Sequence, residues 1–245
     1  MQVKPGFADL SGVYVKSVKR ALTGSIQSTE GHTRACTLNY GNPPQFTRWF
    51  QLVKHAVMSL RLFAAIPLPE DVADRLIDLQ GEVHGASWRS LEQLHLTLRF
   101  FGEIDEALAR DLDHELGLII EAPFEIRLAG AGSFGGREPS ALWAGVEASP
   151  PLKRLASACE KATRRAGLAP ETRKFMPHVT LAYCRGTTDE DVAQFQQEIG
   201  AFRTDLFWVD HFCMYSSHQT RSGNQYVEEA VYPLMGAAAA SVSRQ

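Results

Sequence analysis

Cysteine is scarce. The 245 residues hold four, Cys36, Cys159, Cys184 and Cys213, with no CxxC pair among them. Such scatter supports neither a zinc knuckle nor a dense disulfide framework, and a reduced, cytoplasmic setting is the expectation. Long apolar runs are lacking too. The longest candidate, Leu60 to Leu68, is strand-sized and well short of the roughly 18 residues a membrane helix needs, so no span is expected. Compositional bias is equally absent, with 44% apolar and 22% charged residues. That excludes collagen-like, coiled-coil and wholly disordered chains and leaves room for one sizeable core or two small interlocked lobes.

A basic excess is missing from most of the chain. The net charge is −3, but residues 1–57 carry seven Lys or Arg against two acids, and the remainder carries 18 against 26. An acidic main body argues against wide, counterion-releasing contact with a nucleic-acid backbone, so any phosphate contact must be local. The first 57 residues also lack sustained apolar periodicity, are rich in Ser, Thr, Gly, Asn and Gln, and break at Gly41-Asn42-Pro43-Pro44. They read as a disordered extension. A basic, acid-poor leader suggests a transit peptide, yet it has neither a convincing amphipathic helix nor the apolar centre of a signal peptide. The simpler reading is a working start at Met58, a domain over residues 58–234, and a flexible small-residue tail over 235–245.

Within that domain the hydrophobic pattern switches between period 2 and period 3.6. Strands are expected at Leu60–Ile66, Gln93–Phe101 with a stop at Gly102, Phe124–Ala129, Ala141–Glu147, His178–Cys184, Leu206–Tyr215 and Gln225–Tyr232. Helices are expected at Asp71–Val83, at Asp105–Ile120 with Asp105 as cap, from Pro151 to about Ala166 closed by Gly167, and at Asp189–Ile199. Strands and helices mixed at short spacing define an α+β domain.

A repeat runs through this order. His95-Leu96-Thr97-Leu98 and His178-Val179-Thr180-Leu181 both read H-x-T-L on a strand, lie 83 residues apart, and precede acidic helix starts at Asp105-Glu106 and Asp189-Glu190-Asp191. Composition alone yields roughly 0.4 H-x-T matches in such a chain, so the number of matches is not the signal. The shared context is. A duplicated unit commonly assembles about a pseudo-twofold axis, which would set the two histidines face to face.

Alternation along a strand puts His95 and Thr97 on one face, with Leu94, Leu96, Leu98 and Phe100 on the other, and the second copy behaves alike. Polar groups converging from two strands make a groove and not a dry core, because unpaired polar groups in a core cost several kcal/mol. Two imidazoles flanking one point supply a base and an acid near neutral pH. That suits in-line displacement at phosphorus, with the Thr97 and Thr180 hydroxyls donating to the non-bridging oxygens. A catalytic metal would want further carboxylate or imidazole ligands at short spacing, and neither motif carries them.

The paired motifs, the opening Arg61-Leu62-Phe63-Ala64-Ala65-Ile66-Pro67 strand, the run His95 to Glu103 and Pro177-His178-Val179-Thr180-Leu181 resemble the 2H phosphoesterase superfamily. Within it, the bacterial and archaeal RNA 2′,3′-cyclic phosphodiesterases, also called 2′-5′ RNA ligases, are the nearest likeness. The resemblance covers about Met58 to Leu234. It implies a bilobal, duplicated fold of two antiparallel sheets flanked by helices around a central cleft. It further implies metal-independent opening of a 2′,3′-cyclic phosphate to a 2′-phosphate, reversible 2′-5′ joining of RNA ends, and no cofactor. His95 is then the proton donor and His178 the proton acceptor, acting on RNA ends or a related small nucleotide in a protein expected to be monomeric.

One position departs from the family. An arginine commonly stands five residues after the second motif histidine, and here that place is Tyr183. Phosphate anchoring is expected to pass to Arg185 or to Arg99, which alternation places with His95 and Thr97. The domain's other histidines, His84, His114, His211 and His218, read as surface or loop residues. Trp88 and Trp143 read as core or rim packing, with base stacking as the alternative. Arg173-Lys174 reads as a solvated pair, or as an attractor for an RNA 3′ end if it lies at a cleft mouth. Two other functions fit the motifs: a 2′-5′ oligonucleotide or small cyclic-nucleotide phosphodiesterase, and a non-catalytic RNA-end binding module. Retention of both complete motifs argues against the last.

Overall fold

A computed structural model describes residues 59–221 and 223–236, all within the compact unit Met58–Gln245. The extension read at residues 1–57 and the last nine residues of the tail lie outside the described residues. The element order is β1 (Leu60–Pro67), α1 (Glu70–Ile77), β2 (Ala86–Trp88), a 3₁₀ turn (Leu91–Gln93), β3 (His95–Ile104), α2 (Glu106–Gly117), β4 (Phe124–Ile126) and β5 (Leu128–Phe134). It continues with β6 (Ala141–Val146), α3 (Pro150–Arg165), β7 (His178–Cys184), α4 (Asp189–Ile199), β8 (Phe207–Val209), β9 (His211–Thr220) and β10 (Gly223–Pro233). Among the described residues no helix is long and apolar enough to cross a membrane.

Eight strands form one antiparallel sheet of order β10-β9-β1-β3-β7-β6-β5, with β2 paired to β7 beside β3. It is two half-sheets, because β3 and β7 touch at a single residue pair, Leu96 opposite Val179. Those are the middle residues of the two H-x-T motifs. The duplication read from the sequence is thus realised as a seam, with one motif strand on each side. β1 carries five consecutive buried residues, Leu62 to Ile66, as expected of a central strand flanked on both edges.

The back face is apolar and covered. Leu96, Val179, Leu181 and Leu142 have no exposed surface, and α3 buries Leu152, Leu155, Ala156, Cys159 and Ala162. It opens at Pro150, one residue before the expected Pro151, and Ser149 caps it by accepting a hydrogen bond from the Leu152 amide at 3.3 Å. Asp105 caps α2 as expected, accepting from the Leu108 amide at 2.8 Å. Thr188, the residue before the acidic cluster, caps α4 in a box with Asp191.

Three expectations are corrected by long-range contacts. Gly102 does not stop the third strand. It sits within it at φ +80°, at a register shift between the Leu62 and Phe63 pairings, so the backbone bulges where only glycine is unstrained. α1 ends at Ile77 and not Val83, because the following segment is drawn toward β2. There the Gln80 side chain donates to the Arg89 carbonyl at 2.8 Å and Trp88 Nε1 donates to the Gly81 carbonyl at 3.0 Å. The expected strands Phe124–Ala129 and Leu206–Tyr215 are each divided. Their first parts, β4 and β8, pair with each other in a separate two-stranded sheet, and the chain then enters the main sheet as β5 and β9.

Candidate active site

The seam builds the site. With Leu96 opposite Val179 in antiparallel register, His95 falls across from Thr180 and Thr97 across from His178, all four on the face opposite the buried Leu96 and Val179. Both imidazoles are held by the same local device, a hydrogen bond to the backbone carbonyl two residues earlier. His178 Nδ1 lies 2.7 Å from the Met176 carbonyl, and the Gln93 carbonyl bonds His95. A carbonyl can only accept, so Nδ1 of His178 carries the proton and its Nε2 is left with a lone pair for chemistry.

Aromatic rings surround each histidine. The Phe63 ring lies tilted at 4.8 Å from His95, with Tyr226 edge-on at 5.1 Å and Tyr215 stacked at 6.3 Å. Phe134 meets His178 edge-on at 4.8 Å, with Trp143 at 6.4 Å. Trp143 lies flat enough over Gly132 that a Cβ there would come within 2.2 Å of the indole ring, so glycine is required by close approach. A cavity of about 190 Å³ opens beside His95 between Pro67, Leu91, Tyr215 and Tyr226.

These walls set the proton chemistry. Desolvation, with smaller contributions from the charges of Arg89 and His178, pushes His95 down to about 4. Burial also lowers His178. Both rings are therefore neutral near pH 7 in the free protein, and the negative charge of a bound anion would raise their pKa values. The expected consequence is a bell-shaped kcat/KM profile with its maximum below pH 6.5, and a kcat profile displaced to higher pH because it reports the complex. A kcat/KM maximum above pH 7.5 would show that desolvation does not govern these groups.

The threonine hydroxyls have no hydrogen-bond partner among the described residues, which leaves Thr97 and Thr180 free to donate to a ligand. The two arginines expected to help are placed elsewhere. Each H-x-T-L leucine is the extra residue of a β-bulge: the register passes from Ala65–Thr97 to Ala64–Arg99, and from Trp143–Thr180 to Leu142–Ala182. The bulge at Leu98 reverses alternation, so Arg99 points to the helix side and not to the face of His95 and Thr97. There Nε meets Glu160 Oε2 at 2.7 Å, with Glu171 at 3.7 Å. Arg185 is exposed in the turn beyond β7, where its amide donates to the Gly85 carbonyl at 3.0 Å. No described contact joins either arginine to the histidines.

The same bulges return Phe100 and Tyr183 to the motif face. Sequence reasoning missed Arg89. Its guanidinium lies 5.2 Å from the centre of the Tyr183 ring and donates to Tyr226 Oη at 3.2 Å. The only signal in the sequence was its place six residues before His95. Arg173 is clamped by Glu171, Nη2 to Oε2 at 2.9 Å, which spends its charge locally. Trp88 packs on Phe195, whereas Trp143 belongs to the site wall. Of the remaining described histidines, His84 in the turn before β2, His114 in the last turn of α2 and His218 on β9 are exposed, as expected of surface residues, and His211 on β9 is partly exposed. Among the described residues no group of three or more His, Cys, Asp or Glu is arranged to hold a metal ion.

Comparison with known proteins agrees with this architecture. The model of the 2′-5′ RNA ligase superfamily matches residues 68–221, and the chain belongs to that family. A protein of Aeropyrum pernix named RNA 2′,3′-cyclic phosphodiesterase is 32% identical over 138 residues, covering 55% of this chain and 78% of the relative. One of the same name from Thermotoga maritima is 31% identical over 180 residues, covering 68% and 91%. The crystal structure of E. coli LigT complexed with 3′-AMP shares the fold at TM-score 0.61 and 24% identity, over 72% of this chain and 99% of that one. The fold is therefore the α+β 2H phosphoesterase fold.

Proposed function

We propose that this chain hydrolyses the 2′,3′-cyclic phosphate end of RNA to a 2′-phosphate by acid/base catalysis divided between its two motif histidines. His178 Nε2 takes a proton from the attacking water as that oxygen bonds to phosphorus. His95 gives a proton to the 3′ oxygen as its bond to phosphorus breaks. Thr97 and Thr180 donate to the non-bridging oxygens, where charge develops. A ribose hydroxyl in place of water makes the same displacement a 2′-5′ joining of RNA ends. Both motifs come from one chain, so a monomer suffices. The domain that does this is residues 58–234, preceded by the extension at 1–57. The cytoplasm is its setting, in keeping with the free thiols of Cys159, Cys184 and Cys213.

One observation carries this reading: the single bridge at Leu96 and Val179, which sets each motif histidine across from the other motif's threonine. The relatives bearing the phosphodiesterase name support the substrate class. The test is product analysis with 2′,3′-cyclic AMP, a cyclic-phosphate-ended RNA and a 2′-5′ oligonucleotide, each in excess chelator. The expected result is a 2′-phosphate product from the first two at a rate the chelator leaves unchanged. A shortened 2′-5′ oligonucleotide as the preferred product, no turnover at all, or loss of activity in chelator would each refute it.

A further inference from the structure

None of the arginines expected from the sequence brings its charge to this site. A phosphodiester is negatively charged, and a partly desolvated anion is held by an opposite charge or by several donors. Arg99 is turned to the helix side and paired with Glu160 and Glu171, Arg173 is bound to Glu171, and Arg185 is exposed past the end of β7. At the position five residues after His178, on the motif face, stands the neutral Tyr183.

Arg89 stacks on that tyrosine. Its guanidinium carbon is 5.2 Å from the Tyr183 ring centre and 5.9 Å from that of Tyr226, and Nη2 donates to Tyr226 Oη. The backbone of Arg89 is pinned from both sides. Its amide donates to the Leu181 carbonyl at 2.8 Å, one residue past Thr180, and its carbonyl accepts from the Gln80 side chain at 2.8 Å. Tyr226 is in turn edge-on to His95. Arg89 therefore sits just past β2, its backbone tied to Leu181 of the second motif and its guanidinium beside the tyrosine that packs on His95 of the first. Its charge is felt at His95, where it is one of the causes lowering that group.

Among the described residues no carboxylate neutralises it. Seven other arginines among the described residues have an acidic partner within 4 Å, and Arg89 has none. Two ring faces hold the guanidinium plane without consuming its donors, and a single N–H is spent on Tyr226. A half-buried, pre-oriented cation with unused donors is costly to an empty fold and useful to an anionic ligand.

We infer that Arg89 is the phosphate-binding cation of this site, donating to the non-bridging oxygens of the ligand's phosphate, with Tyr183 and Tyr226 fixing its plane. The identity of the substrate rests on the function proposed above. Recognition of a phosphate does not.

The experiment compares the wild type with Arg89→Gln and Arg89→Lys. Inorganic phosphate is the binding probe, and a cyclic-phosphate-ended dinucleotide is the substrate. Removing a charge-assisted pair is expected to raise the phosphate Kd and the KM of Arg89→Gln by about 10- to 100-fold, with a smaller change in kcat. Arg89→Lys, a point charge that cannot reproduce the fork, is expected to recover part of the affinity. If the Gln variant does not fold, Arg89→Lys decides, and a phosphate Kd and KM equal to those of the wild type overturn the inference. It is overturned too if Arg89→Gln loses thermal stability and kcat while its phosphate affinity is unchanged, the pattern of a staple between Tyr183 and Tyr226. The two readings fail separately. A wild type that binds phosphate through Arg89 but turns over no cyclic phosphate removes the hydrolase and keeps the cation. A wild type with turnover whose Arg89→Gln variant keeps its phosphate Kd and KM removes the cation alone.

Discussion

Replacing His95 or His178 by alanine is expected to lower turnover by about 10² to 10⁴, the range for removing a positioned proton carrier. The double variant should lose far less than the product of the two losses, because a displacement that lacks its base gains little from keeping its acid. His95 is packed among Phe63, Tyr215 and Tyr226, so truncation there also leaves a void. His95→Gln preserves most of the volume without a group that titrates near neutrality, and it separates lost chemistry from lost packing. Thr97→Ala and Thr180→Ala should slow turnover less than the histidine changes, since each removes one neutral hydrogen bond. Steady-state kinetics on folded protein is the measurement. Either alanine variant turning over at the wild-type rate ends the two-histidine mechanism.

The second large effect is structural. Leu96→Ala should destabilise the domain by about 2–5 kcal/mol, the cost of truncating a fully buried leucine, and lower the melting temperature by roughly 4–20 °C. Leu96 has no exposed surface and forms the single bridge between the half-sheets. Its neighbours in sequence are His95 and Thr97, so the truncation should also loosen the relation of the motifs. Leu116→Ala is the control, an equally buried leucine on α2 away from the seam. Calorimetry and turnover well below the melting temperature are compared for the pair. Equal residual turnover in the two variants would mean that the bridge stabilises the sheet without positioning the histidines.

The reversal of Arg99 has a counterpart in what the bulge preserves. Leu98 and Leu181 are the third residue after each histidine, and both are extra residues in their pairing. Each motif therefore delivers three consecutive outcomes: His and Thr on one face, a buried leucine, and an aromatic side chain returned to the first face five residues after the histidine. Phe100 and Tyr183 are 47% and 49% exposed there, which leaves both available to a ligand.

Local physics made much of this legible before any coordinates. Period-2 alternation in His95–Leu98 and His178–Leu181 assigned the faces of the motif residues, and the cap at Asp105 follows from a side chain bonding the amide three residues away. The repeat of H-x-T-L at matched positions foretold a shared seam. What the tertiary structure alone decided lies beyond the reach of neighbouring residues. Alternation assigns faces only while register is unbroken, and the bulges that turn Arg99 to Glu160 exist because β1 and β6 pair with the motif strands in shifted register. Arg89 reaches the site through a backbone bond to Leu181, 92 positions away in sequence, and through two tyrosines from different strands. Such a convergence leaves no local pattern, because the chain pays nothing in propensity to place an arginine after Trp88, and only the folded sheet gives that arginine its neighbours.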